Sequence, residues 1–478
     1  MDTGSGTTVL AAKAEVRAHN SVLRKELGIL DLVLAQILLV VVPDFFGAAV
    51  KAGPSHVVLW LVAILLFFIP QAVVVSNLNR LMPLEGGLFE WARLAFNDKI
   101  GFLVAWNLWL YVLSYSATIG LVTITFAAYA LGPQSLWMVA NRWLLFATSA
   151  LLILGLILVA RLGLGVGKWV SNTGSLLTVI TLLVLVTMPF VNVTNGTLAG
   201  YHPLRLVLPP LTLFSLSVFS KMAFGALCGF EYVAIFAGES RNPGRNVALA
   251  TLITAPIIAL LYILGTSSIL AFVSPNAVDV IGPIPQALRQ SFQSFELVRI
   301  IVPLSIMLLL GNYLSVFSLN FSANARLPMV AGWEHLLPEW FTRLHAKHRT
   351  PVNSIWFLGG VTLAASLAAL IGVGRQEAFE LLQIWGFTFY GLAYLALFAI
   401  PLFAKKESGI GAGLGMRLAS ASGLFITLLF VLLSIFPIIE VESSLRYAAK
   451  IAGVVLGANL LGWMVYRVGQ RNNRGAIA

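Results

Sequence analysis

Val42-Pro43-Asp44-Phe45-Phe46-Gly47 interrupts the first apolar stretch of the chain, about Gly28 to Val50. Gly225-Ala226-Leu227-Cys228-Gly229-Phe230-Glu231-Tyr232 interrupts the sixth, about 211–237. Pro43 removes a backbone donor and Gly47 tolerates a non-helical turn, while the second segment carries two glycines in a run otherwise suited to helix. Each holds one acid, Asp44 or Glu231. In a bilayer, backbone groups freed by a broken helix are tolerated only where they line a cavity or meet a ligand. The N-terminus of a half-helix attracts an anion, and freed carbonyls attract ammonium groups or cations.

The rest of the chain makes the bilayer the right solvent. Of 478 residues, 59% are hydrophobic and only 10% charged, against roughly a quarter charged in soluble domains. Mean hydropathy is +0.91. Disorder and a disulfide scaffold are excluded by the same figures, since Cys228 is the single cysteine. Spans of about 20 residues recur, where a β-barrel would show short alternating segments. The reading is an all-α polytopic membrane protein with about 12 transmembrane helices. The spans fall near 28–50, 55–82, 99–130, 142–161, 169–191, 211–237, 248–274, 295–325, 352–372, 379–403, 417–437 and 445–467. Residues 1–27 show no cleaved signal peptide, so the first span is expected to direct insertion. The net charge of +11 reports orientation. With an even number of spans, 21 Lys and Arg fall on the side of the termini and 8 on the other, the thirtieth being Lys221 inside a span. Both termini are therefore expected in the cytoplasm, in a cell membrane, and nucleic acid is not an expected partner.

Intramembrane ionisable residues default to functional hypotheses. All six histidines are read as lying in the tail or in loops. Only Asp44 and Glu231 among the acids sit deep in spans, Asp31 lies near the end of the first, and Lys221 is the one deep base, read as snorkelling or packing. The breaks fall in spans one and six, the pattern of two five-helix inverted repeats. An amphipathic stretch after span two (Leu88, Trp91, Ala92, Leu94, Ala95) has a counterpart after span seven (Val280, Ile284, Ala287, Leu288, Phe292). Five being odd, the two should emerge on opposite faces. The expected organisation is a tail 1–27, repeats 28–191 and 211–403, two further helices in 417–467, and a tail 468–478.

Three segments resemble the amino acid–polyamine–organocation transporters, specifically bacterial amino acid permeases. Pro83-Leu84-Glu85-Gly86-Gly87-Leu88-Phe89-Glu90-Trp91-Ala92-Arg93-Leu94-Ala95-Phe96, with Gly101-Phe102 and Trp106, resembles the loop after the second helix. Gly229-Phe230-Glu231, Gly238-Glu239 and Asn242-Pro243-Gly244-Arg245-Asn246 resemble the sixth helix and its exit; Arg326-Leu327-Pro328, Leu337-Pro338 and Thr350-Pro351 resemble the connection after the eighth. The resemblance implies a leucine-transporter-like fold and alternating access around a site between helices 1, 3, 6, 8 and 10. It implies that the substrate carboxylate meets helix-1 amides, that the amino group meets carbonyls of helices 1 and 6, and that Phe230 covers the substrate. Two departures stand out. The usual glycine–small–glycine break of helix 1 is replaced by Pro43, Asp44 and a single Gly47, and Asp44 favours an ammonium group over a carboxylate. The lysine that many members carry midway along helix 5 falls at Thr181, so coupling passes through protons at Asp44 or Glu231, through sodium, or through exchange.

The expected substrate contacts are thus Pro43, Asp44, Phe45, Phe46, Gly47, Tyr111, Tyr115, Cys228, Gly229, Phe230, Glu231 and Tyr232, with Asp44, Glu231, Asn312, Ser315 and Lys221 as ion or gating candidates. Tyr111 and Tyr115, four apart on one face, read equally as site hydroxyls or aromatic packing. Asn312 and Ser315 read as cation ligands or interhelical glue; Trp385 and Tyr390 have only their helix to recommend them. No cofactor or metal is expected. The expected function is a secondary transporter of amino acids, the alternative a polyamine or cationic amino acid transporter, with the lipid bilayer as surroundings. An intramembrane enzyme would need a cluster such as His-Glu-x-x-His or Gly-x-Ser-x-Gly, a channel a filter-like segment, and neither pattern is seen.

Overall fold

The computed structural model describes residues 43–81, 87–162, 167–231, 243–293, 298–331, 336–345, 350–404 and 412–477, with Trp333 and a few positions between 29 and 41. Among the described residues the secondary structure is helical throughout, with no strand. Nine of these helices are long and apolar enough to cross a membrane, and two shorter apolar ones join them.

In chain order, α1 is seen as Phe46–Lys51 with a preceding 3-10 turn, Pro43–Phe45. It is followed by α2 (Gly53–Leu81), α3 (Asp98–Leu131) and α4 (Arg142–Leu162). Next come α5 (Gly167–Thr194), α6 (Leu213–Gly225), α7 (Pro243–Phe272) and α8 (Val298–Asn324). The last four are α9 (Val352–Ala369), α10 (Arg375–Phe403), α11 (Leu414–Leu433) and α12 (Ser444–Ile477). The helical backbone of α12 runs on well past the expected end of its span.

Helix is the default here because lipid offers no partner for a free N–H or C=O. Departures from it are therefore informative. Pro189, Pro256, Pro303 and Pro401 lie within helices that continue through them. Two π-helical turns, Ile64–Phe68 in α2 and Lys221–Gly225 at the end of α6, widen the ladder beside each other. The inner face of the bundle is aromatic: Phe67 lies 5.5 Å from Phe224, and Phe224 stacks on Phe430 at 4.7 Å.

The two amphipathic stretches fold as short helices, Leu88–Ala95 and Pro283–Ser291. They sit at opposite ends of α3. A Cβ on Gly101 would meet Arg93 at 2.6 Å, and one on Gly282 would meet Thr125 at 3.0 Å. Thr125 lies 24 residues beyond Gly101 along α3, so the two contacts are about 36 Å apart at 1.5 Å per residue. The Leu131 end of α3 is called the distal face below.

One histidine departs from expectation. His56 opens α2 rather than lying in a loop and is buried, its ring nitrogens 2.9 Å from the Gly53 carbonyl and 2.9 Å from the Ser267 hydroxyl. A turn at Gly53 and Ser55 folds the chain straight into the helix, which carries the imidazole inward.

Candidate functional site

The first break is short. Pro43–Phe45 form one 3-10 turn and the chain re-enters an α-helix at Phe46, leaving Asp44 on the first turn of the half-helix, buried. No side chain caps this terminus. The Tyr313 hydroxyl of α8 donates to Asp44 Oδ1 at 2.6 Å, the Tyr115 hydroxyl of α3 faces the same carboxyl, and Oδ2 is left without a hydrogen bond. Gln383 of α10 donates to the Asp44 carbonyl at 3.5 Å. The neighbouring rings are keyed into glycines. A Cβ on Gly225 would overlap the Phe45 ring, and one on Gly265 of α7 would fall 2.5 Å from the Phe46 ring.

The second break begins two helical residues beyond the π turn of α6. Cys228 and Gly229 leave the helix, and Gly229 takes φ +105°, a conformation that costs a side-chain-bearing residue about 1 kcal/mol or more. The groups released here find specific partners. Gly229 N–H donates to the Tyr394 hydroxyl at 2.8 Å, and Tyr394 and Tyr390 of α10 both donate to the Glu231 carboxyl. Gln71 of α2 donates to the Leu227 carbonyl. The Tyr262 hydroxyl of α7 lies 2.8 Å from the Val40 carbonyl and 2.9 Å from the Ala226 carbonyl, so one hydroxyl spans the two breaks. One proton serves two carbonyls, and acceptor capacity for a cation is left over. Tyr262 is itself fixed by stacking on Trp60 at 4.3 Å.

Of the expected contacts, Pro43, Asp44, Phe45, Phe46 and Gly47 cluster with Tyr115 at the first break, and Gly229 and Glu231 form the second. Tyr111 stacks on Tyr390 at 4.4 Å and 7°, which places it behind Glu231 while Tyr115 faces Asp44. Phe230 is fully buried edge-on to Phe68 of α2 at 5.9 Å. Phe224 also lies against the Glu231 tyrosines, with ring centroids 5.4 Å from Tyr394 and 6.2 Å from Tyr390. The Cys228 thiol is held to the Gly225 carbonyl at 3.4 Å. Asn312 is buried with Oδ1 unpartnered, whereas Ser315 bonds back within its helix to Gly311 at 2.6 Å. Trp385 has a buried indole nitrogen without a partner, and Thr181 is buried. Tyr232 and Asp31 lie outside the described residues. Among the described residues no three His, Cys, Asp or Glu side chains gather as metal ligands.

Of the two readings of Lys221, snorkelling or packing, the structure removes the first. The side chain is 1% exposed, donates to Ser217 Oγ at 3.0 Å and the Phe436 carbonyl at 2.9 Å, and lies 3.8 Å from Glu380 of α10. The link between α11 and α12 folds over it and removes its route to water. Glu380 escapes a reading of the sequence because it stands one turn into its span, where acids are ordinary. Tyr313, Tyr394, Gln71 and Tyr262 escape it too; the only trace of them in the sequence is a lone polar or tyrosyl group within an apolar run.

The sequence model of the amino acid permease family matches residues 29–456. The chain is similar to the probable agmatine/putrescine antiporter AguD of Lactococcus lactis, 23% identical over 80% of this chain and 78% of that protein. It is similar to the branched-chain amino acid permease BcaP of Bacillus subtilis, 24% identical over 76% and 80% of the two chains. Among solved structures it matches MhsT in complex with L-phenylalanine, with a TM-score of 0.60 and 16% identity over 84% of this chain and 97% of that one. This likeness shows a shared leucine-transporter-like fold.

Proposed function

From the premise that the chain belongs to the amino acid permease family, and is thus a secondary transporter working by alternating access, we propose that its substrate presents an ammonium group to Asp44. The observation that carries this is the position of Asp44 on the first turn of the α1 half-helix, with Oδ2 free of any hydrogen bond. That terminus is where a half-helix attracts an anion, and here the anion is part of the protein. A substrate carboxylate brought there would meet a fixed negative charge in a low-dielectric site; an ammonium group would gain a partner. The Val40 and Ala226 carbonyls extend the same preference, and Glu231 offers a second carboxyl for the far amine of a diamine or the side chain of a cationic amino acid. Arginine, lysine, agmatine and putrescine have this chemistry, and the likeness to an agmatine/putrescine antiporter agrees with it.

Coupling follows the same groups. Asp44 and Glu231 can each hold a proton or a substrate ammonium but not both, which makes exchange of one amine for another, or for a proton, the matching mode. In the cell the chain is oriented with both termini in the cytoplasm, so that the distal face is external. A thermal-shift screen of the purified protein against amino acids and diamines tests the substrate class. A ligand at about 100 times its Kd stabilises by about 2.7 kcal/mol, so arginine or putrescine should raise the melting temperature by several degrees. Stabilisation by leucine or alanine alone would overturn the reading.

A further inference from the structure

A buried ion pair is a poor way to stabilise a membrane bundle. Desolvating two charges costs several kcal/mol per ion, and well-packed apolar residues do as well or better. Lys221 and Glu380 nevertheless face each other at 3.8 Å, exposed by 1% and 4%. Their other contacts gather three separate parts of the fold. Lys221 and Ser217 of α6 both donate to the Phe436 carbonyl, and the Ile438 N–H donates to Glu380 Oε1 at 3.2 Å. The Tyr447 hydroxyl of α12 also faces Glu380. The pair thus ties α6 to α10 through the α11–α12 link.

What lies beneath the pair gives it a purpose. A cavity of about 10 Å³, room for one water at most, is bounded by Lys221, Glu380, Gln383 and Ile438 on one side and by Asp44 and Ala48 of the α1 break on another. Phe45, Ile384 and Val280 complete the lining, Val280 coming from the distal loop, residues 273–282 between α7 and the Pro283–Ser291 helix. That loop is seated on α1, since a Cβ on Gly47 would meet Val280 Cα at 2.8 Å. It is pinned by Arg375, which bonds Asp279 Oδ2 at 2.8 Å and Thr125 at 2.8 Å, and by Tyr129, which donates to Asp279 at 3.2 Å. Beside Asp44, then, the structure narrows to a single water's width between an ion pair and a latched loop.

We propose that Lys221 and Glu380 are the gate that closes the distal path to Asp44, opening when α6 and α10 part and separate the two charges. The pair is suited to the task because each charge keeps partners of its own when the two separate: Ser217 and Phe436 for the ammonium, the Ile438 N–H for the carboxylate. The claim needs only that Asp44 lies on the transport path, which the substrate reading above shares. Which amine is carried does not enter.

Labelling with a membrane-impermeant maleimide tests it. Ala48→Cys, in a Cys228→Ser background, puts a thiol in the cavity below the pair. Glu442→Cys, on the exposed α11–α12 link, shows in a parallel sample which membrane preparation presents the distal face, whatever the orientation in the cell. Applied to that face, the reagent should label the cavity thiol slowly in the parent and at least tenfold faster with Glu380→Gln or Lys221→Met. The exchange Lys221→Glu with Glu380→Lys should return the rate toward the parent's. Ser217→Ala, which removes one ammonium partner and leaves both charges, should give a smaller rise if the stronger variants fail to fold. Rates equal to the parent's in folded variants, or a rise only from the opposite face, would overturn the gate. Failure of the substrate reading shows elsewhere, as unselective thermal shifts with the labelling pattern intact.

Discussion

Tyr394 carries more of the second break than any other single side chain, so Tyr394→Phe is the most informative substitution. Its hydroxyl accepts the Gly229 N–H at 2.8 Å and donates to Glu231. The ring fits whether or not the hydroxyl is present, lying 5.4 Å from Phe224 and 6.0 Å from Phe398, and so the change removes two hydrogen bonds and almost no packing. In water-soluble proteins a buried donor left unsatisfied costs about 1–3 kcal/mol, and a bond to a charged group is worth about 1.5–3. Interhelical hydrogen bonds in membranes average only about 0.6 kcal/mol, with a maximum near 1.7. The second scale governs the Glu231 bond, which Tyr390 duplicates. The first governs Gly229, whose amide sits in a non-helical segment with no alternative partner. A loss of about 1–2 kcal/mol follows, about five- to thirtyfold in substrate affinity if the break is the site. Tyr390→Phe removes the bond to Glu231, leaves the Gly229 bond in place and keeps the stacking on Tyr111, so it should cost less than half as much. Equilibrium binding of labelled substrate to the purified variants, with melting temperatures alongside, measures both. Equal losses for the two substitutions, or a larger one for Tyr390→Phe, would refute the assignment of the Gly229 bond as the controlling contact.

Asp44→Asn should weaken arginine or putrescine binding at least tenfold and leave leucine binding little changed, as read by competition binding; equal losses would make Asp44 structural. Gly225→Ala drives a methyl group into the Phe45 ring, an overpacking worth about 1–3 kcal/mol, and should lower both melting temperature and uptake. Asp279→Asn leaves Arg375 without its carboxylate beneath the distal loop, and should lower the melting temperature by several degrees and raise the loop's rate of amide exchange. In Glu231→Gln the hydroxyls of Tyr390 and Tyr394 keep an acceptor while the titratable proton is lost; uptake should persist at reduced rate without its dependence on pH, and an unchanged pH profile would remove Glu231 from the coupling step.

The parts of this fold that can be read in the sequence are those set by local polypeptide physics. Pro43 and the Gly225–Gly229 pair announce broken helices wherever they are buried, because they act on their own backbone. The amphipathic stretches at Leu88–Ala95 and Pro283–Ser291 show their periodicity without reference to a partner. The partners themselves are another matter. Tyr313 reaches Asp44 across 269 residues and Tyr394 reaches Glu231 across 163, and a tyrosine in an apolar run looks the same whether it is packing or donating. The snorkelling reading of Lys221 fails for a related reason. Distance from the membrane centre predicts snorkelling only if water lies outside, and the link at Phe436–Ile438 that excludes water belongs to a segment 215 residues away. Glu380 is hidden by its place near a helix start, where carboxylates stabilise the dipole and draw no notice.

The central claim, that the two breaks bind an ammonium group through Asp44, is tested most directly by uptake into proteoliposomes. Purified protein would be reconstituted and labelled arginine, putrescine and leucine followed in parallel for the parent chain and Asp44→Asn. The account predicts saturable uptake of arginine or putrescine that falls at least tenfold in Asp44→Asn. Uptake of leucine in preference to both, equally strong in parent and variant, would contradict it.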